Sequence, residues 1–467
     1  MTGTADPGLM QRLSARVEER MGLNFTQDRW PDLERGVLKA GAQLRVADPG
    51  MADPARCLAR FAGGAWTGAE FEALAAHLTI GETYFQREPA SFEVLEQVIL
   101  PPLIAGRAGE GRNLRLWSAG CCTGEEAYSL AISCRRVVPD IESWNVSVLG
   151  TDINKAFLAK AQAAVYTPWS FREQAAWLQS RYFQTAGGDR LEVISTVRAM
   201  VEFAVLNLAE DTWPSLATHT NAMDIVFCRN VLMYFTPDHQ QRVVDALYRS
   251  LADNGCLVVS PAEANAEMFR MFRTEQHASV TVYRKVSGDP SDALPVGLAL
   301  AGVASWSPPA APAPAAIRVT KAPGAPRPAA PVRVLPAREA QSLEGVRALA
   351  DRGHLDEALK ASLGLIDLDR CQAEAHFLQA TICHELGLVR EETLALNRAL
   401  YLEPDFVAAH HALGALHARL GNKARAHHHF GIALGLLNAM EPDTPVPGCD
   451  GMTAARFAEL IWVGRRV

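Results

Sequence analysis

The chain predicts a doubly wound α/β domain over residues 81–286, preceded by a helical domain over 1–80 and followed by a separate all-α repeat region. Three observations predict this. From Leu114 onward, short apolar runs alternate with amphipathic stretches, the pattern of a parallel sheet with helices on both faces. Residues 8 to about 80 carry apolar side chains at three- and four-residue intervals. Near the C-terminus, Gly353, Gly387 and Gly421 recur every 34 residues.

In chain order, "LMQRLSARVEERMG", "DRWPDLERGVLKAGAQLR" and "TGAEFEALAAHLT" read as three helices. Arg29, Arg35, Lys39 and Arg45 form either a basic stripe or a solvated face, since the first 75 residues hold nine basic and ten acidic side chains. "LRLWSAG" and "NVSVLGTDI" read as the first strands, with "GEEAYSLAISCRRV" and "NKAFLAKAQAAV" as the helices that follow them. "MDIVFCRN" and "CLVVSP" are later strands, flanking the helix "PDHQQRVVDALYRSLADNG". A small β-subdomain is expected at about 181–203, in "RYFQTAGGDRLEVISTVRAMVEF". Residues 287–338 are rich in Pro and Ala, too poor in buriable surface to fold, and form a linker. From 339 to 440 small residues fall five positions past the period glycines, as Ala358 and Ala426, and Leu368, Leu402 and Leu436 fall fifteen past. This resembles three tetratricopeptide repeats, a stack that offers a groove to a protein or peptide. Glu392 breaks the small-residue rule and is expected to loosen the middle unit. Residues 441–467 form a C-terminal tail.

Composition narrows the function. A net charge of −7 leaves no basic surplus for nucleic acid. The N-terminus has no apolar signal core, and the most apolar run, 296–306, is shorter than the roughly 20 residues that span a bilayer. Nine cysteines without a CxxC pair suggest reduced thiols and no metal site, hence a cytoplasmic protein, expected to be a monomer. His427, His428 and His429 point in different directions on a helix and are expected in solvent.

Three features converge on the carboxyl ends of the strands, where doubly wound folds bind ligands. One is the loop in "LRLWSAGCCTGEEAYSLAI", a glycine turn feeding a helix that opens with Glu125 and Glu126. Another is Asp152, at the tip of the second strand, suited to ribose hydroxyls. The third is "VFCRNVLMYF", residues 226–235, with Cys228, Arg229 and Asn230 at a strand end. The G-x-G-x-x-G spacing of a pyrophosphate cradle is missing, and two carboxylates would repel phosphate. They suit an adenosine with a cationic tail, and S-adenosylmethionine is such a ligand. Glu125 is read as a helix-dipole residue and Cys121 and Cys122 as packable loop residues.

"LTIGETYFQREPASF", "WSAGCCTGEEAYSLA", "GTDIN" and "FCRNVLMYF" occur in the order found in the CheR-type chemotaxis methyltransferases, which the chain closely resembles over about 8–286. The repeats resemble the subgroup with a tetratricopeptide extension. The resemblance implies methyl transfer from S-adenosylmethionine to glutamate carboxylates of a methyl-accepting chemoreceptor, leaving S-adenosylhomocysteine, with residues 1–80 on the substrate side. It implies that Thr83, Arg87, Glu126, Asp152, Asn207, Leu208, Cys228, Arg229 and Asn230 line the cofactor pocket. Arg87 and Tyr234 would stand near the methyl. Arg87 would orient the methionine carboxylate or the substrate carboxylate, the first being favoured; Tyr234 would face the sulfur or the substrate. Two positions depart from the family pattern: Gly81 replaces a frequent Asn, and Gln86 a second Phe. The short glycine loop in 181–203 implies an enzyme that uses no receptor tether peptide. The alternatives are a methyltransferase with another substrate and an inactive cofactor-binding scaffold.

Overall fold

A computed structural model of the chain describes residues 6–107, 112–172, 176–286, 342–449 and 451–464. The Pro/Ala-rich segment 287–338 lies outside them.

The N-terminal part holds four helices: α1 (Pro7–Met21), α2 (Trp30–Leu44), α3 (Pro54–Ala62) and α4 (Gly68–Leu78). Asp6 caps α1 with its carboxylate, and Thr67 and Glu70 cap α4 reciprocally. Leu13, Val17, Leu33, Val37 and Leu74 form their shared core. Sequence periodicity missed α3, whose nine residues give too short a repeat to register. After α4, α5 (Pro89–Val94) runs through a π-turn into α6 (Leu100–Gly106).

The sheet begins with β1 (Asn113–Ala119), followed by α7 (Glu125–Val137), β2 (Asn145–Asp152) and α8 (Lys155–Ala163). Next come β3 (Val165–Tyr166), α9 (Ala176–Tyr182), β4 (Phe183–Thr185), β5 (Leu191–Val193), α10 (Ser195–Arg198) and β6 (Val201–Val205). The sheet closes with β7 (Met223–Phe227), α11 (Pro237–Ser250), β8 (Leu251–Val258), β9 (Arg273–His277) and β10 (Val280–Arg284). Strand order is β6-β2-β1-β7-β8-β10-β9, parallel except where β10 pairs with β8 and β9. The order reverses between β1 and β7, which opens a crevice at their carboxyl ends.

The small subdomain is a three-stranded sheet of β3, β5 and β4, so it spans 165–193 rather than 181–203. Residues 201–205 leave it and pair in parallel with β2 at the edge of the main sheet, with Val205 buried beside the end of that strand.

The C-terminal region contains α12 (Leu343–Asp351), α13 (Leu355–Leu368), α14 (Ala373–Glu385), α15 (Val389–Leu402), α16 (Val407–Arg419) and α17 (Lys423–Asn438). They form three pairs, each turning at a period glycine in the left-handed region: Gly353 at φ +84°, Gly387 at +71° and Gly421 at +74°. Ala358 and Ala426 are buried between helices. Glu392 does not loosen the middle pair. Its carboxylate is 3% exposed as a residue, accepts two hydrogen bonds of 2.9 Å from Arg419 of the next pair, and lies 3.2 Å from His384. The described residues of the C-terminal tail, 441–449 and 451–464, pack on the helix pairs. Val446, Cys449 and Met452 are buried, and α18 (Ala454–Gly464) adds Phe457 and Ile461 to the core of the last pairs. An apolar end face left by three pairs is covered in this way.

The helix pairs also pack on the sheet. Asn113 and Asn145, the first residues of β1 and β2, donate to the Glu385 carbonyl at 3.1 and 3.2 Å. The Glu385 carboxylate pairs with Arg115 and lies 2.8 Å from His219 Nδ1. Leu216 joins Val346, Leu349 and Ile382 in one apolar cluster. His427 and His428 are exposed, and His429 is half-buried with Nδ1 3.1 Å from that of His410. All nine cysteines are free thiols, and only Cys371 is exposed. No helix among the described residues is long and apolar enough to cross a membrane.

Candidate active site

The crevice at the ends of β1, β2 and β7 is a cleft of about 1050 Å³, reaching to its open mouth. Its floor is the turn after β1. Gly120 has φ +78°, and a Cβ there would come within 2.5 Å of Val231, so only glycine lets the backbone approach the cleft this closely. The Gly120 and Cys121 N–H groups both donate to Thr151 O at 2.8 Å, which binds the turn to β2.

Asp152 lies at the end of β2. Its two oxygens accept 2.9 Å hydrogen bonds, from Cys122 N and from Asn154 N. Further lone pairs remain for hydroxyl donors in the cleft. Burial pushes its carboxyl up to about 6, against the pull of those backbone N–H groups.

The two acids that open α7 have different neighbours. Glu125 is buried away from the cleft and accepts from Thr123 Oγ1 at 2.7 Å and Ser170 Oγ at 2.9 Å. It holds the turn against the 168–172 segment. Glu126 lines the cleft, accepting from Ser118 Oγ at 2.7 Å and Arg229 Nη1 at 3.1 Å. Burial raises its carboxyl, with the Arg229 charge opposing. Arg229, its side chain 1% exposed, also pairs with Glu88 at 2.8 Å and donates to Arg87 O at 2.7 Å. One guanidinium therefore faces two carboxylates, of which Glu126 lines the cleft.

Thr83, Arg87, Glu126, Asp152, Asn207, Leu208, Arg229, Asn230 and Tyr234 all line the cleft. Cys228 does not: it is fully buried behind the wall, its N–H bonded to Val258 O at 3.0 Å. The Asn207 side chain is turned to structural work, donating to Arg20 O at 2.8 Å and Glu210 at 3.2 Å. Its backbone and Leu208 form the wall. Arg87 Nη1 donates to Glu82 O at 2.7 Å.

Three contributors escaped sequence reasoning. Glu263 accepts from the N–H groups of Asn230 and Val231 at 2.7 Å each, fixing the turn after β7, where Asn230 has φ +56°. Glu88 shares Arg229. Phe157 lines the cleft and fills the space beside Gly81, where a Cβ would come within 2.6 Å of its ring. Arg29 reaches the cleft mouth, while Arg35 of the supposed stripe is exposed and paired with Asp32. The N-terminal helices close one side of the cleft through the Leu23–Phe235 bridge and the Asn24 N–H to Tyr234 O bond of 2.8 Å.

An acceptor carboxylate for ribose, the Glu126 carboxylate for an ammonium group and apolar surfaces such as Leu208 and Phe157 fit an adenosine with a cationic amino-acid tail. Comparison with known proteins agrees. Residues 81–281 match the family model "CheR methyltransferase, SAM binding domain". The chain is 31% identical over 425 residues to the "Probable biofilm formation methyltransferase WspC" of Pseudomonas putida, covering 89% of this chain and 96% of the relative. A protein of the same description from Pseudomonas aeruginosa is 28% identical over 76% of this chain and 84% of its own. "Chemotaxis protein methyltransferase 2" of Vibrio cholerae is 28% identical over 48% of this chain and 77% of its own.

Proposed function

Since the chain belongs to the CheR methyltransferase family, whose cofactor is S-adenosylmethionine, we propose that it esterifies glutamate side chains on the cytoplasmic part of a methyl-accepting chemoreceptor. Bound S-adenosylmethionine supplies an electrophilic methyl group on a sulfonium. The protein's own residues hold and orient. Asp152 accepts from the ribose hydroxyls, Glu126 faces the ammonium group, and Thr83, Asn207, Leu208 and Asn230 shape the adenosine pocket. Arg229 acts through Glu126 and Glu88, which it keeps in place.

One observation carries the choice of a carboxylate acceptor. Arg29 and Arg87 both line the cleft, and neither has a carboxylate partner among the described residues. Two carboxylates, one on the cofactor and one on the acceptor, would match these two guanidiniums. A glutamate is already ionised at neutral pH, its ordinary pKa being about 4.3, so attack needs no base. The thiols at the cleft suit no such role: burial beside Asp152 pushes Cys122 up to about 12. In this reading Arg87 holds the cofactor carboxylate and Arg29 guides the substrate, because a nucleophile clamped by two guanidiniums would attack slowly. Tyr234, half-buried at the cleft, orients the acceptor. In-line positioning of this kind is worth roughly 7–11 kcal/mol in favourable cases.

The three helix pairs read as tetratricopeptide repeats that dock or regulate a partner, and the enzyme as a cytoplasmic monomer. The β4–β5 loop is tight, with Ala186 N bonded to Arg190 O at 2.9 Å, which supports independence from a tether peptide.

The test is transfer of labelled methyl from S-adenosylmethionine to a purified receptor cytoplasmic fragment, then mild alkali. Label released as methanol supports the ester. Alkali-stable label overturns it in favour of nitrogen methylation, and cofactor binding without transfer favours a scaffold.

A further inference from the structure

Five large apolar side chains are exposed among the described residues before 287: Val46, Ile80, Trp169, Trp177 and Met233. Three of them lie in segments that adjoin the cleft. Ile80, 56% exposed, lines the cleft itself. Met233, 55% exposed, precedes the cleft residue Tyr234. Trp169, 69% exposed, is joined to the rim through Arg172. The Arg172 guanidinium lies 4.3 Å from the Trp169 ring centre, 4.0 Å from that of Tyr84, and 3.4 Å from the Glu82 carboxylate, which lines the cleft.

Trp169 is also held rigidly. It belongs to the short 3₁₀ turn Pro168–Phe171, whose Ser170 O accepts from Phe85 N at 2.9 Å. Phe171 stacks on Phe85 with ring centres 4.9 Å apart. Phe85 lies in the same loop as Thr83 and Arg87, so the cleft wall and the exposed indole move as one piece. An indole 69% exposed, with a guanidinium over its ring, has the makings of a binding hot spot, where Trp and Arg predominate.

Resting on the reading above, we propose that Trp169 and Arg172, with Ile80 and Met233 beside the cleft, form the docking platform for an acidic amphipathic helix of the methyl acceptor. The apolar rim suits the helix's apolar stripe, and Arg29, which lines the cleft without a carboxylate partner among the described residues, suits its acids. A helix satisfies its own backbone N–H and C=O groups, so it can lie against such a rim without stranding them. The target glutamate then enters the cleft while its neighbouring turns rest on the platform. Trp169 binds the acceptor and takes no part in the transfer.

The experiment uses the full chain with Trp169→Ala, Trp169→Phe and Arg172→Glu, reading initial rates against receptor-fragment concentration and S-adenosylhomocysteine affinity by calorimetry. A photo-crosslinking residue at position 169 gives a readout independent of chemistry. KM should rise about tenfold or more in Trp169→Ala and Arg172→Glu, with turnover at saturation and nucleoside affinity within about twofold of the parent. Trp169→Phe should retain most of the affinity, and the crosslink should join position 169 to a helix bearing a methylated glutamate. An unchanged KM without a crosslink overturns the platform, as does a parallel fall in nucleoside affinity, which would mark a structural role. If the parent forms a crosslink but no alkali-labile ester, the platform stands and the ester reading falls. An active parent without the crosslink sinks the platform alone.

Discussion

Acidifying the medium through pH 6 should loosen S-adenosylhomocysteine from the cleft, and Asp152→Asn should abolish most of that dependence. The Asp152 carboxyl is pushed up to about 6 by burial, while Cys122 N and Asn154 N pull the other way. Ribose hydroxyls donate to the ionised form, so binding favours loss of the proton. Affinity is therefore full above the free-state pKa and falls as pH drops below it. For a group titrating near 6, the apparent dissociation constant scales as one plus the protonated-to-ionised ratio, which makes binding about elevenfold weaker at about pH 5 than at about pH 7.5. Asn keeps one acceptor oxygen and loses the charge. Removing a charge-assisted hydrogen bond of about 1.5–3 kcal/mol should weaken binding roughly 10- to 150-fold at neutral pH. Calorimetry of both proteins at three pH values measures this. Glu126, also raised by burial, titrates in both, so the difference between the two slopes belongs to Asp152. Parallel slopes, or a flat parent curve, would refute the assignment of the ribose contact.

Other expectations follow from the same geometry. Arg229→Met leaves Glu126 and Glu88 without their shared cation and should lower stability by about 3–5 kcal/mol in denaturant titration, with nucleoside binding lost. Gly81→Asn drives a side chain into Phe157 and should cost about 1–3 kcal/mol of stability; adding Phe157→Ala should recover much of it, as thermal melts would record. Glu392→Ala, which restores the small residue of the other two repeats, should destabilise the helix pairs by about 1–3 kcal/mol, because Arg419 loses its two hydrogen bonds. Adding Arg419→Ala should then have little further effect.

The sequence made some of this visible because the informative residues are neighbours in the chain. The turn after β1, Asp152 at a strand tip and the 34-residue glycine period are local patterns, read from a few adjacent letters. Glu263 and Glu88 were hidden for the opposite reason. Each acts on a segment far along the chain, and a lone acid carries no local sign of the N–H groups or guanidinium it will meet. Phe157 looked like one more apolar residue on an amphipathic helix; only the absence of a side chain at Gly81 gives it the cleft. Cys228 shows the converse, since a residue can sit inside a recognisable motif while its side chain turns to the core. Glu392 seemed a packing fault by repeat pattern, whereas Arg419, 27 positions later, makes it an internal ion pair.

Contacts of the helix pairs with Asn113, Asn145 and Arg115 put them at the amino ends of the strands, the pole opposite the cleft. With β2 eight residues long, the two poles stand about 26 Å apart at roughly 3.3 Å per residue. The three helix pairs are thus a keel beneath the sheet and not a lid above it, while α18 runs up the flank at β6 and reaches Glu210. Cutting both away would leave the Arg115 guanidinium, 6% exposed, without its Glu385 carboxylate, and would free Glu210, beside Asn207 of the cleft wall, from Arg456 of α18. A shortened enzyme would misreport the whole one. Leu363, Leu394 and Tyr401 of the helix pairs face solvent, so a partner that covers them would leave the cleft at the other pole unobstructed.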